Sequence, residues 1–333
     1  AALSAVATNN SGFMFVGLLG FAYAEGLKAA WLQLGWVLGD IVIWYRVYSR
    51  ARARSGKYDA KSIPMLLATR DDGTVDRPIV VAAGLLTLVF LGVYAAAQLN
   101  AGSVALEAIF GFPSWTGAVL GAIVVAAYSY AGGLRASIWT DAAQAVVMLG
   151  AMLILVGTAT SVLGGPSSLY AALASIDPSL VEIVPRDLPL GFALLMIGYI
   201  GGGIAIAGQP HVVVRALSLD SVDEIPSARR VYFSWYIPFS ILSIAAGLYA
   251  RAMLPELDTH AAGVGSTAEM ALPELSRLLL PEVLVGLVLA GLFAASMSTA
   301  DSQILACSAA ITQDLAPQYR ADARASKLAT LAI

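Results

Sequence analysis

Charge is what this chain has least of. Asp, Glu, Lys and Arg make up 12% of its 333 residues, about half the share of a soluble domain. With 59% hydrophobic residues and a mean hydropathy of +0.78, that scarcity argues against one large or two ordinary soluble domains. A net charge of −3 with no basic stripe gives no sign of a nucleic-acid partner. The lone cysteine, Cys307, excludes an intramolecular disulfide framework, and inside an apolar run it reads as a small packing residue. A two-histidine metal spacing, a P-loop, a GxGxxG after a strand and a Ser/His/Asp set are all missing, so enzymatic chemistry is not expected. No charged segment leads into a signal-peptide cleavage site. The chain starts at Ala1 and stops at Ile333 within a fresh apolar stretch, Leu328 to Ile333, as expected of a fragment.

Long apolar runs are what the chain has instead. About 20 helical residues cross roughly 30 Å of hydrocarbon. Runs suited to that, the first of them short, fall at 11–24, 26–45, 78–108, 116–132, 137–164, 188–213, 231–254 and 282–312. Their continuity predicts helices, since barrel strands would alternate over short segments. If the second run points inward, fifteen Lys and Arg fall in inside connectors, Arg215 among them, against four outside: Lys28, Arg186, Arg251 and Arg277. The outside connector 255–281 is acidic, with Glu256, Asp258, Glu269 and Glu274, and suggests a short amphipathic helix at 266–279. Trp44, Tyr45, Tyr48, Tyr232 and Trp235 near span ends fit interfacial aromatic belts.

Two runs carry residues that disfavour continuous helix. The first is Ala5 to Gly12, with Asn9-Asn10-Ser11-Gly12; the second is Gly198 to Pro210, rich in glycine and ending Gly-Gln-Pro. Paired breaks in the two halves of a membrane protein point to a binding site, because freed carbonyls and helix ends hold ions and solute. The competing reading of the glycine run is close helix packing. Polar residues inside spans add to the pattern. Ser298, Asp301 and Ser302 share one helix face, and Asp141 lies near the inner end of another span. Intramembrane carboxylates with hydroxyls suit an ion ligand, a proton relay or a buried charge partner. Ser296 reads as a hydroxyl bonded back to its own helix, Asp40 as an interhelical partner, and His211 as a structural histidine or a solute contact.

Four pieces then stand in order: Ala-x-x-Asn-Ser-Gly at 7–12, Gly-Gly-Leu-Arg-Ala-Ser-Ile-Trp-Thr-Asp-Ala-Ala-Gln-Ala at 132–145, Gly-Gln-Pro-His at 208–211, and Ala-Ala-Ser-Met-Ser-Thr-Ala-Asp-Ser-Gln at 294–303 followed by Ser308-Ala-Ala-Ile-Thr312. Together they resemble the sodium/solute symporter family, and within it the bacterial sodium/proline branch, over nearly the whole chain. The resemblance implies an all-α integral membrane protein, a LeuT-like inverted-repeat bundle with two broken helices, incomplete at both ends. Residues 1–333 would then be a single transporter domain running from the first core helix to the start of the ninth.

The same resemblance implies a sodium site from carbonyls of Ala7, Asn10 and Ala295 with hydroxyls of Ser298 and Thr299. A possible second sodium would use Asp141, Asp301 and Ser302, where Asp301 replaces a serine of the relatives and could supply a protonatable group. For solute it implies Asn9, Ser11, Gly12, Tyr94, Gly202, Ile206, Gln209 and Pro210. Gly202 and Ile206 stand where proline-transporting relatives have aromatics, so a larger pocket and a solute bulkier than proline are expected. The expected function is sodium-coupled symport of a small polar organic solute, amino acid-like or a carboxylate, by alternating access. A monomer in a bacterial inner membrane is expected. A sensory membrane module or a proton-coupled symporter are the rivals.

Overall fold

Lipid offers the backbone no hydrogen-bond partners, so apolar runs of this length close their bonds internally as helix. The computed structural model describes residues 1–113, 115–185, 188, 190–257, 267–320 and 322–333. In chain order the helices are α1 (Ala2–Asn10), α2 (Gly17–Glu25), α3 (Ala30–Arg46), α4 (Tyr48–Tyr58), α5 (Ile63–Ala68), α6 (Arg77–Phe110) and α7 (Trp115–Leu163). They continue as α8 (Pro166–Ile176), α9 (Gly191–Ile204), α10 (Pro210–Leu217), α11 (Ile225–Met253), α12 (Ala271–Leu279), α13 (Glu282–Ala309) and α14 (Ala323–Ala332). Six helical stretches among the described residues are long and apolar enough to cross a membrane. The chain is a multi-pass membrane protein.

As one straight rod α7 would reach about 73 Å, far beyond a bilayer core. Gly133, at φ 54° and ψ −145°, breaks it between the runs expected at 116–132 and 137–164. Only glycine takes that conformation without strain. At the acidic connector, α12 forms as expected with Ala271, Leu272 and Leu275 buried and Leu278 exposed; position 266, Asp258 and Arg186 lie outside the described residues.

The short α1 sits among α7, α10, α11 and α13, while α13 also packs on α6 and α3 packs on α9. That last pair resolves the glycine run. Residues 198–203 stay helical, and Gly202 and Gly203 serve close packing against Trp36; the break proper is narrower, a 3-10 turn at Ala205–Gly208 with Gln209 extended. A Cβ on Gly203 would stand 2.2 Å from the Trp36 carbonyl oxygen, and one on Gly39 2.3 Å from that of Ile200. Gly203→Ala is therefore expected to cost about 1–3 kcal/mol, read as a lower melting temperature in detergent. Gly198→Ala, with nothing within 4 Å, is the matched control and should melt at or slightly above the parent, since Ala favours helix over Gly.

Two expectations need correcting. Trp44, Tyr48, Tyr232 and Trp235 are core residues, and only Tyr45 of that group is exposed. The Trp44 ring lies 4.8 Å from Tyr48 and 4.9 Å from Tyr232, so these aromatics join α3 to α11 instead of forming a lipid-facing belt. Position near a span end does not say which side of the helix faces lipid. Arg215, counted among the inside-connector charges, is 1% exposed and lies on α10 within the bundle.

Candidate functional site

Helix α1 stops where Asn9, Asn10 and Ser11 compete with the backbone for hydrogen bonds. Ser11 adopts φ 48°, uncommon for a residue with a side chain, and its Oγ accepts from the Phe13 amide at 3.1 Å. The Gly12 amide, freed by the break, donates to Gln98 Oε1 of α6 at 3.0 Å. A second break separates α9 from α10, with Pro210 starting the new helix at its first position. A cavity of about 370 Å³ lies between the breaks. Asn9, Ser11, Gly12, Tyr94, Gly202, Ile206 and Gln209 line it. Pro210 does not; it lines a second cavity of about 500 Å³ with Arg215, Ser302 and Asp314. The first cavity reaches Glu269 of the acidic connector and the second reaches Lys61 and Lys327, so they belong to opposite faces of the charge asymmetry.

The expected enlargement at Gly202 does not occur. A Cβ there would meet Trp36 Nε1 at 2.7 Å, because the indole from α3 occupies the space. Trp36 and Phe13, rings 5.3 Å apart, give the cavity aromatic walls from elements other than the second break.

Below the first break, two helices present oxygen to one another. Ser298 Oγ lies 3.2 Å from the Ala7 carbonyl and 3.0 Å from that of Ala295; Thr299 Oγ1 lies 2.9 Å from the Thr8 carbonyl and 3.2 Å from that of Ala295. Four of the five residues proposed for sodium thus converge, joined by the Thr8 carbonyl. The fifth, Asn10, is buried beside them with Nδ2 on the Val6 carbonyl at 2.6 Å and Oδ1 unpartnered. Neutral carbonyl and hydroxyl oxygens suit a hard monovalent cation, which would take over bonds these hydroxyls now make to the carbonyls. Among the described residues no group of three or more His, Cys, Asp or Glu gathers to hold a metal otherwise. Ser296 departs from its expected back-bonding: its buried hydroxyl has no partner and faces Gly12.

The carboxylates form a separate layer around Arg215. Its guanidinium donates to Ser137 Oγ at 2.7 Å, Ser302 Oγ at 2.5 Å, Ser4 Oγ at 3.2 Å, the His211 carbonyl at 2.8 Å and Asp141 Oδ2 at 3.3 Å. Ser4 donates to the same Asp141 oxygen at 2.6 Å, and Thr8 Oγ1 lies 3.0 Å from Ser302 Oγ. Asp301 Oδ1 accepts from Ser302 at 2.9 Å, while Asp141 Oδ1 and Asp301 Oδ2 are buried without partners. Asp141 therefore pairs with the arginine directly, and Asp301 joins the layer through Ser302, to which Arg215 also donates. His211 contributes its carbonyl here and its ring packs edge-on to Tyr94 at 6.0 Å, away from the cavity lining. Asp40 is the interhelical partner expected, accepting from Tyr232 of α11 at 2.5 Å. Sequence reasoning missed Gln98, Trp36, Tyr232 and the central place of Arg215.

Comparison with known proteins follows the same lines. The sodium:solute symporter family matches residues 1–333. A sodium/proline symporter of Salmonella typhimurium is 31% identical over 326 residues, covering 98% of this chain and 63% of that protein. The high-affinity proline transporter PutP of Bacillus subtilis is 31% identical over 316 residues, 94% of this chain and 65% of its own. The chain thus spans less than two thirds of the length of these curated relatives. The substrate-bound, outward-open structure of a sodium-coupled sialic acid symporter aligns with a TM-score of 0.80 at 21% identity, covering 99% of this chain and 71% of that one. The shared fold is the LeuT-like helix bundle.

Proposed function

This chain belongs to the sodium:solute symporter family, and from that premise we propose that it forms the core of a transporter coupling uptake of a small polar organic solute to sodium. The observation that carries the reading is the meeting of the α1 break with the α13 hydroxyls. The Ser298 and Thr299 hydroxyls each lie within hydrogen-bond distance of the Ala295 carbonyl and of one α1 carbonyl, Ala7 or Thr8, beside the cavity lined by Asn9, Ser11 and Gly12. Sodium entering there, with Asn10, ties α1 to α13 and fixes the angle at which the cavity is presented. Solute then fills the space between the breaks, against Tyr94, Gly202, Ile206 and Gln209. Release runs toward the second cavity, past Pro210. Each sodium moved inward through 100 mV supplies about 2.3 kcal/mol before its concentration gradient is counted. Asp141, Asp301 and Ser302, with Arg215 as a tethered counter-charge, are the proposed second cation layer.

A monomer in a bacterial inner membrane, with residues 1–333 covering the first through the start of the ninth core helix, completes the reading. Solute uptake by the full-length protein in proteoliposomes is expected to disappear when sodium is replaced by potassium. Uptake driven equally well by a pH gradient in potassium alone would overturn sodium coupling.

A further inference from the structure

We propose that the solute cavity selects an organic cation, a solute bearing an ammonium or quaternary ammonium group with no compensating carboxylate, and that Asp40 reads its charge. The proposal deepens the symport reading and depends on it only for the sodium requirement. Three observations converge. The described residues lining the cavity include Asp40 but no Lys, Arg or His, so an anionic solute would find no counter-ion among them. Asp40, 2% exposed on a membrane-spanning helix, has one oxygen held and one free: Oδ2 accepts from Tyr232, while Oδ1 is buried without a partner. No salt bridge among the described residues reaches it. An intramembrane carboxylate is costly to bury, and its missing partner calls for an explanation in function.

The third observation is the aromatic surround. Trp36, four residues before Asp40 on α3, presents its indole to the cavity beside Phe13, with Tyr94 and Tyr236 also in the lining. Aromatic faces together with a carboxylate attract ammonium groups, and more strongly once water is excluded. Asn9 at the α1 break donates to the Tyr232 hydroxyl at 2.5 Å, which in turn donates to Asp40. The break and α3 are thereby joined through Tyr232 of α11, which is the positioning residue of the carboxylate that receives the cation.

The test uses the full-length protein in detergent, with thermal shift and direct binding of choline, putrescine, proline and lactate, each with and without sodium. Choline or putrescine is expected to bind in preference to proline and lactate. Asp40→Asn should weaken the preferred cation by roughly 100-fold, with Tyr232→Phe losing less and Asp40→Glu recovering part. The sodium-induced shift serves as the fold check; where Asp40→Asn lacks it, Asp40→Glu and Tyr232→Phe are compared. Binding of proline or lactate in preference to both cations, or cation binding unchanged in Asp40→Asn, overturns the proposal and leaves symport standing. Failure of both cations to bind also overturns it. Cation binding that depends on Asp40 but is indifferent to sodium upholds it and sinks the sodium-coupled reading instead.

Discussion

Replacing Arg215 by Met is expected to destabilise the protein by about 3–5 kcal/mol, because it leaves the Asp141 carboxylate buried without its ion-pair partner, one helix away from the buried Asp301. Methionine replaces the apolar stem but not the guanidinium, so the loss is chiefly electrostatic and in hydrogen bonds to Ser4, Ser137, Ser302 and the His211 carbonyl. Arg215→Lys should fall between, since an ammonium point charge does not reach a fork of acceptors set by a planar guanidinium. Asp141→Asn alone leaves Arg215 its serine and carbonyl acceptors and should cost less than Arg215→Met. Combining Arg215→Met with Asp141→Asn should recover part of the stability, which a double-mutant cycle reports as coupling.

Sodium sharpens the same experiment. If the carboxylate layer accepts a mobile cation, sodium should raise the melting temperature of Arg215→Met more than that of the parent, because the ion replaces a tethered charge. The measurement is intrinsic-fluorescence melting across a sodium series, with potassium as reference. A variant that melts with the parent in both salts would show that Arg215 is not the counter-ion of this layer.

Legibility in the sequence divided along the range of the interactions. Breaks were readable because Asn9-Asn10-Ser11-Gly12 and Gly208-Gln209-Pro210 oppose helix through their own backbone chemistry. Ser298 and Ser302 could be placed on one face from spacing alone, and the structure puts both on the α1 side. Arg215 was misread as a connector charge because it follows a break by only a few residues. A signal was present: it stands four residues after His211 among valines on a short helix, a poor place for a solvated arginine. Trp36 filling the space beside Gly202 had no local signal, nor did the bond from Tyr232 to Asp40, 192 residues apart. Gly202 reads in sequence as an opening, whereas Trp36 from the facing helix closes it. Complementarity of that kind is a property of two helices in register, and one run of sequence does not carry it.

Ser298→Ala and Thr299→Ala are expected to raise the sodium concentration for half-maximal uptake by about 10- to 100-fold each, with maximal rate affected less. Each substitution removes one oxygen from a cluster in which the carbonyls and the other hydroxyl stay in place, so the site weakens without dispersing. Neither change empties much space, and each loses a hydrogen bond worth about 1 kcal/mol, too little to unfold a well-packed bundle. Thr299→Ser keeps the oxygen and should stay near the parent. Ser296→Ala provides a second contrast on the same helix: its hydroxyl faces Gly12 instead of the carbonyl cluster, so sodium dependence should not move. Uptake against sodium concentration in proteoliposomes separates these cases. Should Ser298→Ala and Thr299→Ala both retain the parent's sodium curve, the cation does not sit between α1 and α13, and the carboxylate layer around Arg215 becomes the place to look.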